Sequence, residues 1–337
     1  MSNQAISNQA ISNQAASNIF LSSLDKLAVL ELKGGQPDKL LQGQITADLR
    51  LVNTEQALPG LLCNLKGRVV SSFEVIAFAS DHLALILPTN NLEAVQTHLA
   101  KYQPFFKTEL KETTSDYQLL GLSGKEAPVL ISSLIGAWPK NEYQQLVAEQ
   151  GLILNLPGPQ PRALVLLKRD HENFTATLTK LQNLTNPVTT DCWQLLDIKM
   201  GRAQVDAGLT DQFLPQMLNY QATGAVSFKK GCYIGQEIVA RAQFRGQVKK
   251  RLHRAHLTTG QLSLPAAVYD TEGKQQGEII QIAADRRGEL EALAVINQKA
   301  LETDSTLFVN PELTIKMILH KLPYDPEARK ALHGAEA

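Results

Sequence analysis

The sequence predicts an α+β protein with two consecutive antiparallel-sheet lobes and a small C-terminal β-barrel or sandwich. Strand-forming segments alternate with two helical segments over residues 27–110, and the same order returns over residues 118–182. Short alternating segments between turn signals then fill residues 249–323. The length agrees, because 337 residues at about 150 per domain correspond to two domains or three compact lobes.

The chain begins with a polar repeat, Ser-Asn-Gln-Ala-Ile, and residues 1–18 are predicted to be a disordered tail. One aliphatic side chain per repeat buries too little surface to offset the ordering entropy. The first lobe, residues 19–115, has a predicted helix that begins at Pro37 and keeps apolar residues on one face, followed by a helix at 91–102. Those apolar residues are Leu40, Leu41, Ile45 and Leu49. Its strands are predicted at 27–32, 57–65, 69–79, 82–87 and 106–110.

The second lobe, residues 116–190, repeats this order. Its strands are predicted at 118–122, within 143–156 and at 163–167, and its helices at 126–135 and 173–182. A further helix is predicted at 191–200, with Thr190 or Asp191 as its cap and Gly201 at its end. Residues 201–247 lack periodicity and are predicted to form an ordered connection that completes the core with this helix.

The last lobe, residues 248–325, is predicted from four short alternating segments, at 251–257, 278–284, 292–296 and 313–319. Turn signals at Glu272-Gly273 and Arg287-Gly288 separate them, and this spacing is typical of a small β-barrel or sandwich. Residues 326–337 are predicted to be a loose tail.

Composition excludes several classes of function. The 33 Lys+Arg balance 33 Asp+Glu, which argues against a protein that coats nucleic acid or a polybasic membrane binder. No apolar run approaches the ~18 residues that span a bilayer, and three separated cysteines without a signal peptide favour the cytoplasm. Phosphate-loop, dinucleotide, zinc-protease and nucleophile-elbow motifs are missing and the histidines are scattered, so no metal site is predicted.

The most concentrated signal is the segment Lys229-Lys230-Gly231-Cys232-Tyr233-Ile234-Gly235-Gln236-Glu237, followed by Arg241. Glycines on both sides of the thiol permit unusual backbone angles, and two adjacent ammonium groups favour the thiolate. The alternative is a tight turn with a buried thiol, and the sequence does not decide between them. Cys63 and Cys192 have apolar neighbours and are predicted to lie in the core.

Trp193 is the second candidate, because an indole face can stack on a flat ligand such as a pterin. The more common alternative is a tryptophan on the buried side of an amphipathic helix. The third signal is charge: residues 227–256 carry eight Lys or Arg against one Glu. Such a cluster can hold a polyglutamyl or phosphate group or contact RNA, and its default interpretation at 249–251 is a solvated face.

These segments resemble a known family. Residues 213–219 and 226–237 resemble the signature of the YgfZ family, folate-binding tRNA-modifying proteins related to the glycine-cleavage T-protein, and residues 41–48 and 64–68 resemble its N-terminal segments. The resemblance runs from about Leu24 to Pro323. It implies a three-lobed GcvT-like ring with folate in the central channel, two ferredoxin-like α+β lobes and a C-terminal β-barrel.

The resemblance also implies roles for individual residues. Tetrahydrofolate or a derivative would stack on Trp193 and on a second family tryptophan that is Leu27 here, and Lys229 and Lys230 or nearby arginines would meet its carboxylate tail. Cys232 would be a functional thiol. The remaining motif positions are Gly231, Tyr233, Gly235, Gln236, Glu237 and Arg241. The implied role is maintenance of iron-sulfur enzymes, including tRNA methylthiolation, with iron-sulfur enzymes or assembly proteins as partners and no membrane.

Two rival functions remain. The first is an aminomethyltransferase like the T-protein, but Ser71-Ser72 replace the Asp pair of that enzyme, and a hydroxyl cannot act as a carboxylate base near neutral pH. The second is a scaffold that binds protein or RNA through the basic segment and needs neither Trp193 nor Cys232. Whether the protein is itself an enzyme stays open.

Overall fold

The fold is taken from a computed structural model that describes residues 18–258, 262–285, 288–302 and 306–328. All but one residue of the predicted N-terminal tail, 1–18, and residues 329–337 of the predicted C-terminal tail lie outside the described residues. Within them the protein consists of two sheets and a closed six-stranded barrel. The predicted α+β class is therefore confirmed, and the barrel alternative is the correct one for the C-terminal lobe.

The first lobe is a five-stranded antiparallel sheet in the order β3-β4-β5-β2-β6. The described chain begins with a strand, β1 (Phe20–Ser23), that pairs in the second sheet rather than in this one. The elements that follow it in chain order are β2 (Leu27–Lys33), α1 (Pro37–Gln42), β3 (Leu58–Cys63), β4 (Val69–Ala79), β5 (His82–Pro88), α2 (Leu92–Ala100), α3 (Gln103–Phe106) and β6 (Glu109–Glu112). β3 and most of β4 and β5 are buried, so these strands form the floor of one apolar core.

The second lobe is a six-stranded sheet in the order β11-β1-β7-β10-β9-β8. Its further elements are β7 (Tyr117–Ser123), α4 (Ala127–Leu134), β8 (Gln145–Ala148), β9 (Gly151–Asn155), β10 (Arg162–Lys168), α5 (Phe174–Leu184) and β11 (Asn186–Pro187). All pairs are antiparallel except β1 with β11. β1 thus pairs in this sheet although the predicted division placed it in the first lobe, because Ile19 and Leu21 are buried in the core of the second lobe.

Two predicted elements of the first lobe differ in the structure. The helix that begins at Pro37 ends at Gln42, so Ile45 and Leu49 do not continue its face. Ile45 forms an isolated bridge with Leu62, and Leu49 starts a short 3-10 turn capped by the side chain of Asp48. The strand predicted at 106–110 begins at Glu109 instead, since Phe106 ends the single turn α3.

The connection between the second lobe and the barrel contains two helices. The first, α6 (Thr190–Lys199), has Thr189 as its cap rather than Thr190 or Asp191, and Gly201 follows its end at φ +63° as predicted. The second, α7 (Gln236–Phe244), is a correction to the predicted irregular region 201–247. α7 has no start signal in the sequence, because its cap is Gly235 in the left-handed region rather than a side chain that accepts a hydrogen bond. Val239 is its one buried residue, so the helix has no apolar periodicity either.

The closed barrel follows, with strand order β12-β15-β14-β13-β16-β17. Its strands are β12 (Lys250–Leu257), β13 (Ala266–Tyr269), β14 (Gln275–Ala284), β15 (Leu290–Asn297), β16 (Leu307–Phe308) and β17 (Lys316–His320). The four predicted segments correspond to β12, β14, β15 and β17. β13 and β16 were missed, since runs of four and two residues are too short to display a period.

The start of the predicted C-terminal tail is held against the protein. The Pro326 carbonyl accepts hydrogen bonds from Gln221 Nε2 at 2.6 Å and Arg251 Nη1 at 3.1 Å, and Glu327 pairs with Arg251 at 2.6 Å. Residues 326–328 are thus fixed by side chains that precede them by 75 residues or more. No helix among the described residues is long and apolar enough to cross a membrane.

Candidate functional site

A cavity of about 480 Å³ lies where the first lobe, α6 and the barrel meet. The first lobe contributes Leu27 and Pro88, α6 contributes Trp193, and the barrel side contributes Pro265 and Ile280. The volume is in the range of pockets that bind small molecules, and its lining mixes apolar and polar side chains as such pockets do. The structure therefore places Trp193 and Leu27 in the lining of one cavity.

Trp193 is placed by close packing in the first turn of α6. A Cβ atom built on Gly121 of β7 would lie 2.4 Å from Cε3 of the indole, so glycine is needed for this approach. The guanidinium carbon of Arg162 lies 5.0 Å from the ring centroid, in cation–π range. Trp193 is only 7% exposed and belongs to the first apolar core, yet it lines three neighbouring cavities. Both sequence interpretations of this residue thus describe part of its environment.

A smaller cavity of about 60 Å³ shares Leu27, Trp193, Asp197 and Gln204 with the larger one. A buried ionic network lies beside it. Arg162 Nη2 donates to Asp197 Oδ1 at 2.6 Å, Arg202 Nη1 donates to the same oxygen at 3.3 Å, and Arg202 Nη2 donates to Glu74 Oε1. The Arg202 guanidinium also lies 5.6 Å from the ring centroid of Tyr143. Two cations and two carboxylates thus form one chain of charges that joins both sheets to the segment after α6.

Burial shifts the pKa values of this network. It raises the pKa of the Glu74 carboxyl, against the opposing charge of Arg202. It lowers the pKa of the Arg162 guanidinium, against the opposing charge of Asp197. For Tyr143 burial is again the largest cause, and the pKa of its hydroxyl is raised well above the ordinary value. The phenol is therefore neutral at physiological pH and acts as a hydrogen-bonding group.

Sequence reasoning missed this network. Glu74 lies inside the apolar strand β4, and Arg162 opens the apolar strand β10. A charged residue within a strand that is buried on both faces must have a partner of opposite charge. The isolated charge in an apolar strand is therefore the sequence feature that indicates a buried ion pair. The partners are 128 residues apart for Glu74 and Arg202 and 35 apart for Arg162 and Asp197, so no local pattern could pair them.

Lys230 of the glycine-cysteine motif has a structural position. Its Nζ donates to the carbonyl oxygens of Ile45 at 2.7 Å and Ala47 at 2.6 Å, and it lies 5.3 Å from the ring centroid of Tyr233. Burial lowers the pKa of this ammonium to about 7. These contacts fasten the motif to the segment after α1. Lys230 is therefore not available to a carboxylate tail in the cavity, a correction to the expectation.

Cys232 is exposed, so the alternative of a buried thiol is wrong. Gly235 has φ +81° and a Cβ there would lie 2.4 Å from the Asn64 carbonyl, whereas a Cβ on Gly231 would meet nothing within 4 Å. Only Gly235 thus needs glycine geometry. Lys229, Glu237 and Arg241 are exposed, Tyr233 is buried, and Gln236 begins α7. Within the described chain, none of residues 229–241 lines the three cavities, so the thiol does not contribute to the lining that contains Trp193.

The other two cysteines differ in burial. Cys63 is fully buried, and burial raises the pKa of its thiol to about 12, which confirms the core prediction. Cys192 is half-buried and lines a cavity of about 340 Å³ next to Trp193, so the core prediction is wrong for it. Of the serine pair, Ser71 is buried, and Ser72 Oγ accepts the backbone N–H of Val205 at 2.8 Å.

The cationic cluster at 227–256 is dispersed by the fold. Besides Lys230, two members are engaged with carboxylates: Arg251 with Glu327, and Arg254 with Glu291 at 2.8 and 2.9 Å. Lys249 and Lys250 are exposed, in agreement with a solvated face. The cluster therefore does not converge on one anion site.

In fold, the protein belongs to the class of the glycine-cleavage T-protein. The glycine cleavage system aminomethyltransferase T of Bartonella henselae is similar with a TM-score of 0.74 at 14% identity, over 94% of this chain and 88% of that one. At that identity the likeness defines the fold alone.

Sequence relatives narrow the class to a family. The tRNA-modifying protein YgfZ of Colwellia psychrerythraea is 33% identical over 266 residues, which cover 79% of each chain. The protein of that name from Escherichia coli SMS-3-5 is 32% identical over 314 residues, 91% of this chain and 94% of the relative. No protein-family model matches the chain. The chain belongs to the family of the tRNA-modifying protein YgfZ, which confirms the resemblance of its motif segments.

Proposed function

We propose that the protein binds tetrahydrofolate or a related folate and supports tRNA modification by iron-sulfur enzymes, including methylthiolation. The observation that carries the proposal is the cavity between the lobes and the barrel, with the Trp193 indole on its wall. An indole stacks well on a planar heterocycle. The tRNA role is taken from the name that the curated relatives share.

The cavity residues fit a folate in size and chemistry. About 480 Å³ accommodates a bicyclic ring and its linker, and the adjacent network offers polar groups beside the indole. Leu27, at the position of the second family tryptophan, supplies an apolar contact but no aromatic face. We therefore expect one-sided stacking and a weaker complex than a pair of indoles would give.

The carboxylate tail needs a cation at the mouth of the cavity. Lys26 is the one Lys or Arg among the described residues that line it, and Asp25 and Asp206 line it too. In this proposal the tail meets Lys26, whereas Lys229, like the thiol, does not line the cavity. A Lys26→Ala variant should weaken tetrahydrofolate more than the free pterin, because only the former carries carboxylates.

Cys232 is proposed as a functional thiol that faces a client protein rather than the folate. Its exposure and its position on the segment clamped by Lys230 support this role, since the sulfur is accessible on a fixed support. The clients would be iron-sulfur enzymes or assembly proteins.

Titration of the purified protein with tetrahydrofolate tests the folate site. We expect saturable binding by calorimetry that Trp193→Leu weakens at least about tenfold, the size of a lost stacking contact. Trp138→Leu is the matched control, because Trp138 packs on the core of the second lobe and lines none of the three cavities. Absence of binding by the wild type would refute the folate site.

Rescue of a null strain tests the cellular role. tRNA methylthiolation should return with the wild type and with Cys192→Ser but not with Cys232→Ser, provided that both variants accumulate equally. Restoration by Cys232→Ser would remove the thiol from the proposal. Glycine-dependent methylene transfer at a useful rate would instead favour the aminomethyltransferase alternative.

A further inference from the structure

The ionic network beside the small cavity keeps unused hydrogen-bonding capacity. Among the described residues of the network, Glu74 Oε2, the Tyr143 hydroxyl and Arg162 Nη1 are buried without a hydrogen-bond partner. Glu74 and Tyr143 line the small cavity, whereas Arg162 does not. Both arginines donate to Oδ1 of Asp197, so its Oδ2 makes no hydrogen bond within the described chain. Asp197 lines both the small and the large cavity.

Buried polar atoms of this kind destabilise the folded protein unless a ligand or a water molecule forms a hydrogen bond with them. The penalty is larger when the group is charged. Arg202 engages one oxygen of Glu74 and fixes the carboxylate, and the other oxygen of this cavity-lining residue has no partner. The space of about 60 Å³ has room for a few water molecules or for one edge of a planar ring.

Charge decides the kind of ligand. The network pairs two guanidinium groups with two carboxylates, so its formal sum is zero. A cation or an anion would add an unpaired charge to a buried site, which is unfavourable. The free oxygens of Glu74 and Asp197 are acceptors, so the ligand must be neutral and must present N–H donors. The Tyr143 hydroxyl adds one group that can donate or accept.

We propose that Glu74 and Asp197, held by Arg162 and Arg202, select a neutral ring whose edge carries an amino group beside a ring N–H, with Tyr143 contacting the same edge. The 2-amino-4-oxopyrimidine edge of a pterin has this pattern. A 2,4-dioxo ring such as lumazine places a carbonyl oxygen where the amino group would be, against a carboxylate. This inference rests on the proposed folate site and names the residues that read the ring.

The first test compares pterin and lumazine as competitors of tetrahydrofolate. We expect pterin to bind 10- to 100-fold more tightly, as a hydrogen bond to a charged group implies. Glu74→Gln should reduce that preference, because its amide replaces one acceptor by a donor. Equal binding of the two rings by a wild type that binds tetrahydrofolate would overturn the selection while leaving the folate site intact. A wild type that binds neither tetrahydrofolate nor pterin would refute both.

The second test avoids the risk that a variant of the ion pair fails to fold. Tyr143→Phe removes a hydroxyl that has no partner in the described chain, so stability should be unchanged or higher while pterin affinity falls about 10-fold. Tyr220→Phe is the matched control, because Tyr220 lines the same cavity but its hydroxyl donates to the Ala203 carbonyl at 2.7 Å. It should lose stability and keep the pterin-to-lumazine preference. Unchanged pterin affinity in Tyr143→Phe would exclude this hydroxyl from the contact.

Discussion

Gly121→Ala tests how tightly the cavity wall is built. The added Cβ would lie 2.4, 2.7 and 2.8 Å from three carbons of the Trp193 indole, whereas ordinary carbon contacts are about 3.5–4.0 Å. Gly121 is held in the middle of β7 by pairing with β1 and β10. The ring must therefore move by roughly 1 Å, and we expect overpacking to cost about 1–3 kcal/mol of unfolding free energy.

Urea unfolding measures this cost. In a Trp138→Phe background Trp193 is the sole tryptophan, since the chain has two, and its emission under tryptophan-selective excitation reports the displacement directly. Gly231→Ala is the matched control, because a Cβ there meets nothing within 4 Å and needs no left-handed backbone. It should leave the urea midpoint unchanged.

A double variant separates the clash from other effects. Adding Trp193→Phe removes most of the ring that the new Cβ of Gly121→Ala would contact. The double variant should therefore lose less unfolding free energy than the sum of the two single losses, by about 1 kcal/mol or more in circular dichroism melts. Wild-type stability and emission in Gly121→Ala would refute the packing argument, and so would additive losses.

Three further outcomes follow from the structure. Burial lowers the pKa of Lys230 to about 7 from an ordinary value of 10.5, so the unfolded chain binds more protons between these values and stability should rise with pH across that window. Lys230→Met should flatten this rise, which reaches at most about 1.4 kcal/mol per pH unit, in urea titrations at several pH values. In a Cys192→Ser background, a thiol reagent should modify Cys232 rapidly in the native protein and Cys63 only after unfolding, with the fast phase lost when Cys232→Ser is added; a fast phase that survives would contradict the assigned exposure. A chain shortened to end at Asp325 should be about 1–3 kcal/mol less stable than one that ends at Ala328, because the buried Arg251 guanidinium loses its partners at Pro326 and Glu327; equal stability would show that these contacts contribute nothing.

Local pattern predicted most of the elements. Strands β4, β5, β7 and β10 and helices α2, α4 and α5 lie within two residues of the predicted bounds. Apolar residues that recur every two or about 3.6 residues show which face of a strand or helix is buried in the folded protein. Elements predicted from this periodicity are therefore found in the structure. The errors fall where that signal is absent, at the short strands β13 and β16 and at α7, whose cap is a left-handed glycine.

The site was predictable in part. Trp193 and Leu27, which the resemblance singled out, line the same two cavities, and their role toward a folate stays a prediction. The prediction that Lys230 meets the carboxylate tail was wrong because its ammonium binds the carbonyl groups of Ile45 and Ala47. These partners precede Lys230 by 185 and 183 residues, so no local pattern indicates them. Charge counted along the chain thus indicated an anion site that the fold does not assemble.

The sequence by itself determined the α+β class, the order of lobes and barrel, and the family through its glycine-cysteine motif. Tertiary structure alone decided which charged side chains meet. Glu74, Arg162, Asp197 and Arg202 come from two sheets, a helix and a loop, so no segment by itself contains a pair of them that meets. The physical reason is that periodicity depends on near neighbours along the chain, whereas pairing a buried charge depends on how separate elements pack. The same packing keeps the Cys232 thiol out of the cavities that Trp193 lines.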